Sequence, residues 1–89
     1  MTSFYVETGL RLQRIETASE KTGAVLARLS NNRIPANRWS EWRQGKRLIT
    51  IESAIELCGI TGVTLDYIYR GDTSGLPLRL AEALRKIDG

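Results

Sequence analysis

Arg33 to Arg47 reads RIPANRWSEWRQGKR. Five cations (Arg33, Arg38, Arg43, Lys46, Arg47) stand against one acid, Glu41, so this segment carries +4 where the whole chain carries +3. Trp39 and Trp42 lie three residues apart, one helical turn, and share a face. Pro35 suits a first helical position, where its missing N–H costs nothing, and Gly45 suits a helix stop. The spacing predicts a short amphipathic helix over 35–44. Its tryptophan face anchors to a core, and its outer face presents Asn37, Arg38 and Glu41. A basic helix on the surface is also what a purely solvated face would look like, so the surrounding chain has to decide.

Outward from that segment, turn and cap residues cut the chain into short helical pieces. Thr8 is placed to cap a first helix over about 9–21, with Leu12, Ile15 and Ala18 or Ser19 as its stripe. Thr22 caps a second through GAVLARL, with Val25, Leu26 and Leu29 expected inward. Ser30, Asn31 and Asn32 break it. Thr50 caps IESAIELCGI, where Ile51, Ala54, Ile55, Leu57 and Cys58 recur at helical spacing. Thr64 caps LDYIYR, with Ile68 as its core residue, and Gly71 stops it. Pro77 opens LRLAEALRKI, whose stripe is Leu80, Leu84 and Ile87. No segment alternates with a strand's period of two. The expected fold is all-α, five to six short helices, organised as a loose N-terminal arm over 1–8, a helical domain over 9–72 and a helical tail over 73–89.

Composition narrows the function. Eighty-nine residues make one small domain. There is no histidine, which removes the usual general base and the usual metal ligand. The eight glycines form no phosphate-binding signature, and Cys58, alone in an apolar run, suits a core thiol rather than a reactive one. We therefore expect no enzyme, no cofactor and no metal. No apolar run spans a bilayer and the first residues show no export signal, so a cytoplasmic protein is expected, with no membrane partner. Residues 48–69 contain three acids and no Lys or Arg, which leaves the basic charge on one side of the chain. That asymmetry, with a pI of about 9.4, suits a polyanion partner.

The order of these pieces resembles the phage repressor/Cro-like (XRE-type) helix-turn-helix domains. WSEWRQGKR resembles the end of the family's recognition helix and its basic turn, and GVTLDYIYRGD resembles its usual junction into the fifth helix. The resemblance covers residues 9–72 well and the tail SGLPLRLAEAL loosely. It implies a lambda-repressor-like fold and a sequence-specific, DNA-binding transcriptional regulator, a repressor of phage or mobile-element type. The helix at 35–44 would lie in the major groove of double-stranded DNA. Carried over by position, Ala36, Asn37, Arg38 and Glu41 meet base edges, Arg33, Lys46 and Arg47 reach phosphate, and Trp39 and Trp42 fall on buried positions.

Three departures stand out. Members commonly open the second helix with a phosphate-binding Gln. Gly23 stands there instead, and a Gln in its place is expected to restore that bond. The connection over 30–34 is longer than usual by about two residues, which alters the turn that aims the recognition helix. A common Arg–Glu pair between the first and third helices becomes Glu16 and Arg43, with the signs exchanged. These departures keep open a second class of function, a protein-binding antiactivator on the same fold that inhibits a transcriptional activator without touching DNA. Exposed Trp42, Tyr5, Tyr67 or Tyr69 would then form the interface. Leu80, Leu84 and Ile87 are candidates for a homodimer contact, the alternative being a satellite contact within the monomer.

Overall fold

A computed structural model describes residues 3–88, the side chain of Asp88 excepted. Among them are six helices and no strand: α1 (Phe4–Ser19), α2 (Gly23–Leu29), α3 (Ala36–Arg43), α4 (Ile51–Thr61), α5 (Leu65–Arg70) and α6 (Leu78–Asp88). α1 runs through the middle of the molecule, packed on α3, α5 and α6, while α2 bridges α3 and α4. The arrangement is that of a small all-α, helix-turn-helix-like fold.

Three of the caps fall where expected. The hydroxyls of Thr22, Thr50 and Thr64 accept from the N–H of Val25, Ser53 and Tyr67. Each satisfies a donor that the helix itself leaves free, worth about 1 kcal/mol. α3 begins one residue later than expected: Pro35 is its N-cap, extended at ψ 136°, and supplies no side-chain bond.

The loose arm is corrected. Met1 and Thr2 lie outside the described residues, but Phe4 to Thr8 are helical, and the cap is Ser3, whose Oγ accepts from Val6 N at 3.1 Å. Thr8 is no cap. It is buried with Gly9, Leu12 and Ile15 on the inner face of α1. Phe4, Tyr5 and Val6 are weak helix formers, which hid the first turn; burial of the two turns after it extends the helix backwards.

The core joins Leu12, Ile15, Leu26, Trp39, Trp42, Leu57 and Ile68 with two residues the sequence left unassigned, Ile34 and Ile49. Ile34 sits in the 30–35 connection and is fully buried. Asn31 and Asn32 there both adopt left-handed φ, at 55° and 64°, a conformation asparagine tolerates better than most side chains. Ser30 then holds the far side of the turn, its hydroxyl accepting from Ile34 N at 2.9 Å and donating to Ala27 O. The longer connection is thus a built turn with its own core anchor.

Several inward assignments are corrected. Leu29, Ile51 and Ile55 are each more than half exposed. α4 buries Ala54 and Leu57 as expected, with Ser53 in place of Ile51 and Ile55. Its small residues face the body because Ser53 Oγ donates to Arg33 O at 2.7 Å, drawing α4 against the 30–35 turn. The tail is part of the body: Leu80 and Leu84 are buried and α6 packs on α1, so neither is available for a dimer contact; Ile87 alone of that stripe stays exposed.

Candidate nucleic-acid interface

α3 is fixed from three sides. Glu16 of α1 uses both carboxylate oxygens: Oε2 accepts from the indole N–H of Trp39 at 3.0 Å, and Oε1 from Arg43 Nε at 2.8 Å. The exchanged-sign pair is therefore a real bridge, and it also satisfies the polar end of a buried tryptophan. Gln13 Nε2 donates to Arg43 O at 2.8 Å, holding a carbonyl at the end of α3 that no intrahelical donor reaches. Trp39 and Trp42 supply the apolar third side.

With that face locked inward, Asn37 and Arg38 are exposed on the other side. They line a shallow hollow of about 270 Å³ with Glu41, Arg47 and the edge of Trp42. Arg47 Nε stands 3.5 Å from Glu41 Oε2, and Arg33 Nη1 stands 3.0 Å from Glu56 Oε1 on α4. The Arg47 pair is solvent-exposed and contributes ~0–1 kcal/mol, so a phosphate can compete for its cation. Arg38 has no ion-pair partner among the described residues. The structure thus brings together four of the residues expected at a groove: Asn37, Arg38, Glu41 and Arg47. Arg33 borders a neighbouring hollow shared with Arg38 and Trp42. Lys46 stands apart, on the loop beside the start of α1.

Trp42 is core, as its spacing from Trp39 predicts, and the interface role that the second class of function gave it and Tyr67 is corrected. Both are only 3% exposed, because they fill the centre of the core. Tyr69 is half-buried and donates to Ile49 O at 2.8 Å; its phenol is pushed up from the ordinary value, first by burial and then by Cys58 and Glu52. Burial likewise pushes the Cys58 thiol up, against a smaller opposing backbone hydrogen bond. Its thiolate is disfavoured.

The Gly23 departure has a steric cause. A Cβ built at Gly23 would lie 2.7 Å from Trp39 Cδ1 and 3.4 Å from Cγ. The indole occupies the space that a side chain at 23 needs, and Glu16 keeps the indole from swinging away. The expectation that Gln at 23 adds a phosphate bond is therefore reversed. Gly23→Gln should destabilise the fold by about 1–3 kcal/mol through overpacking, read as a lower melting temperature; an unchanged melt would show that the indole yields easily. Glu16, Glu20 and Lys21 line the hollow beside Thr22 at the start of α2.

No protein-family model, curated protein or solved structure matches this chain. No helix among the described residues is long and apolar enough to cross a membrane.

Proposed function

We propose that the chain is a cytoplasmic, DNA-binding transcriptional regulator of the repressor/Cro-like kind, with α3 as its recognition helix. One observation carries this reading: α3 is locked by Glu16, Gln13 and two buried tryptophans while Asn37 and Arg38 project from its free face, with Arg47 beside them. A rigid helix presenting a bidentate amide and a guanidinium suits adenine and guanine edges in the major groove. Arg33, Lys46 and Arg47 flank it as phosphate contacts, and Glu41 either accepts from cytosine or holds Arg47 in place.

The test is binding to operator-like and random duplexes at two salt concentrations. Replacing Lys46 and Arg47 together by Ala should weaken binding to all sequences alike and lower the log–log salt slope by about one to two units. Asn37→Ala or Arg38→Ala should cost ~1–3 kcal/mol on the preferred site and little on random DNA. Absence of any shift at low salt would remove the reading.

A second reading, the antiactivator, is favoured by one specific observation. The start of α2, which should face phosphate, has Gly23 covered by the ring of Trp39, so no longer side chain fits there to reach a phosphate. A stable complex with a transcriptional activator, together with no DNA shift from the same preparation, would establish it.

A further inference from the structure

A hollow of about 510 Å³ lies where the end of α1, the end of α4 and the start of α6 come together. That is within the roughly 300–1,000 Å³ of small-molecule sites. Ala18, Ile60, Pro77, Leu80 and Ala83 give it an apolar wall. Its charged lining is Glu20, Lys21 and Arg79. Lys21 is turned back on its own turn, Nζ donating to Ser19 O at 3.3 Å. The side chains of Glu20 and Arg79 are exposed, and no hydrogen bond or ion pair among the described residues holds either. Both stand at the unfavourable end of a helix. Glu20 is the C-cap of α1, at the negative end of the dipole, which disfavours a carboxylate. It also adopts φ 55°, a left-handed conformation that Gly or Asn takes at lower cost. Arg79 is in the first turn of α6, at the positive end, with no acid in that turn to offset it. Two unpaired charges that weaken their own helices thus face one hollow. Local rules broken together in this way mark a place that serves binding.

We propose that this hollow binds a free α-amino acid with an apolar side chain. The ammonium of the ligand goes to Glu20 and the carbonyl end of α1. Its carboxylate goes to Arg79, whose planar fork can take both oxygens, and to the positive end of α6. Its side chain lies against Ile60, Leu80 and Ala83. Complementarity of both signs selects this class. A simple carboxylate or a phosphate would meet Glu20, and a simple amine would meet Arg79. A neutral apolar molecule would take both charges out of water without a partner. A zwitterion uses both ends at once. The hollow shares no residue with the one on α3, so the site stands whatever α3 binds.

The experiment is an NMR titration of the isotopically labelled full chain with L-leucine and with L-phenylalanine, carried into the millimolar range. Saturable amide shifts centred on residues 18–21, 60–61 and 78–83 are expected with one or both. Three controls each remove one part of the ligand. Leucinamide lacks the carboxylate, N-acetyl-L-leucine lacks the ammonium, and glycine lacks the side chain. Each should bind about tenfold more weakly or worse. Arg79→Ala and Glu20→Asn should each weaken amino-acid binding by a similar factor. Neither variant should melt below wild type, because each removes a charge from the helix end that disfavours it, and Asn tolerates the left-handed φ at 20. Loss of binding with an unchanged or raised melting temperature therefore separates a binding role from a structural one. The absence of saturable shifts with both amino acids would overturn the proposal. So would shifts centred elsewhere, leucinamide or N-acetyl-L-leucine binding as tightly as leucine, or full affinity in both variants. A melting temperature lowered in both variants would make the two charges structural and overturn it as well.

Discussion

Trp39→Ala is expected to destabilise the domain by about 3–5 kcal/mol, against a total of roughly 5–13 kcal/mol for a chain of this size. The indole is 1% exposed and is among the largest fully buried side chains. Removing it opens a cavity where α1, α2 and α3 meet, and it takes away the N–H donor to Glu16. Circular dichroism should show a melting temperature lowered by more than about 12 °C, at roughly 4 °C or more per kcal/mol for this length. A melt within a few degrees of wild type would contradict the packing described. Two companion variants apportion the loss. Trp39→Phe keeps most of the volume and loses the bond to Glu16, so it should cost about 1–2 kcal/mol. Gly23→Ala, unfavourable alone, should become favourable in the Trp39→Ala background because the obstructing ring is gone. The interaction energy between the two sites then measures how tightly they share one space.

Gly9→Leu should leave the chain unfolded, and Gly9→Ala should cost about 1–3 kcal/mol. Alanine in a helix ordinarily gains about 1 kcal/mol over glycine, so a substitution that should stabilise α1 becomes a test of how closely α1 approaches α3. A Cβ at Gly9 would stand 2.7 Å from Trp42 O, 2.8 Å from Arg43 O and 3.0 Å from Gly45 N. All three are backbone atoms and cannot rotate away. Relief requires α1 and α3 to separate, which strains the Gln13–Arg43 bond and the Glu16 bridge at the same interface. Urea titration gives the difference directly. If Gly9→Ala proves as stable as wild type, or more so, helix propensity has won and the contact is looser than the geometry states.

Most of the secondary structure could be read locally because it is locally caused. Thr22, Thr50 and Thr64 cap helices by bonding a backbone N–H three residues on, and that depends on little beyond the nearby chain. The tryptophan face of α3 follows from a three-residue spacing, and the Glu16–Arg43 pair from position in the resemblance. What failed needed distance. Nothing near Phe4 announces that Thr8 and Gly9 will be buried, so the helix start at Ser3 stayed hidden behind weak propensity. Nothing in IESAIELCGI says that Ser53 rather than Ile51 or Ile55 turns inward; that depends on the Arg33 carbonyl twenty residues earlier.

The candidate site divides in the same way. The residue types and charge of the segment from Arg33 to Arg47 were determined by the sequence alone, as were the all-helical architecture and the exposure of Asn37 and Arg38, because periodicity and capping act within a few residues. Only the tertiary structure decided that Tyr67, Leu80 and Leu84 are core, that Glu41 and Arg47 lie together, and that Gly9 and Gly23 are glycines for want of space. Those facts concern which surfaces meet, and excluded volume between segments distant in sequence leaves no local periodic mark.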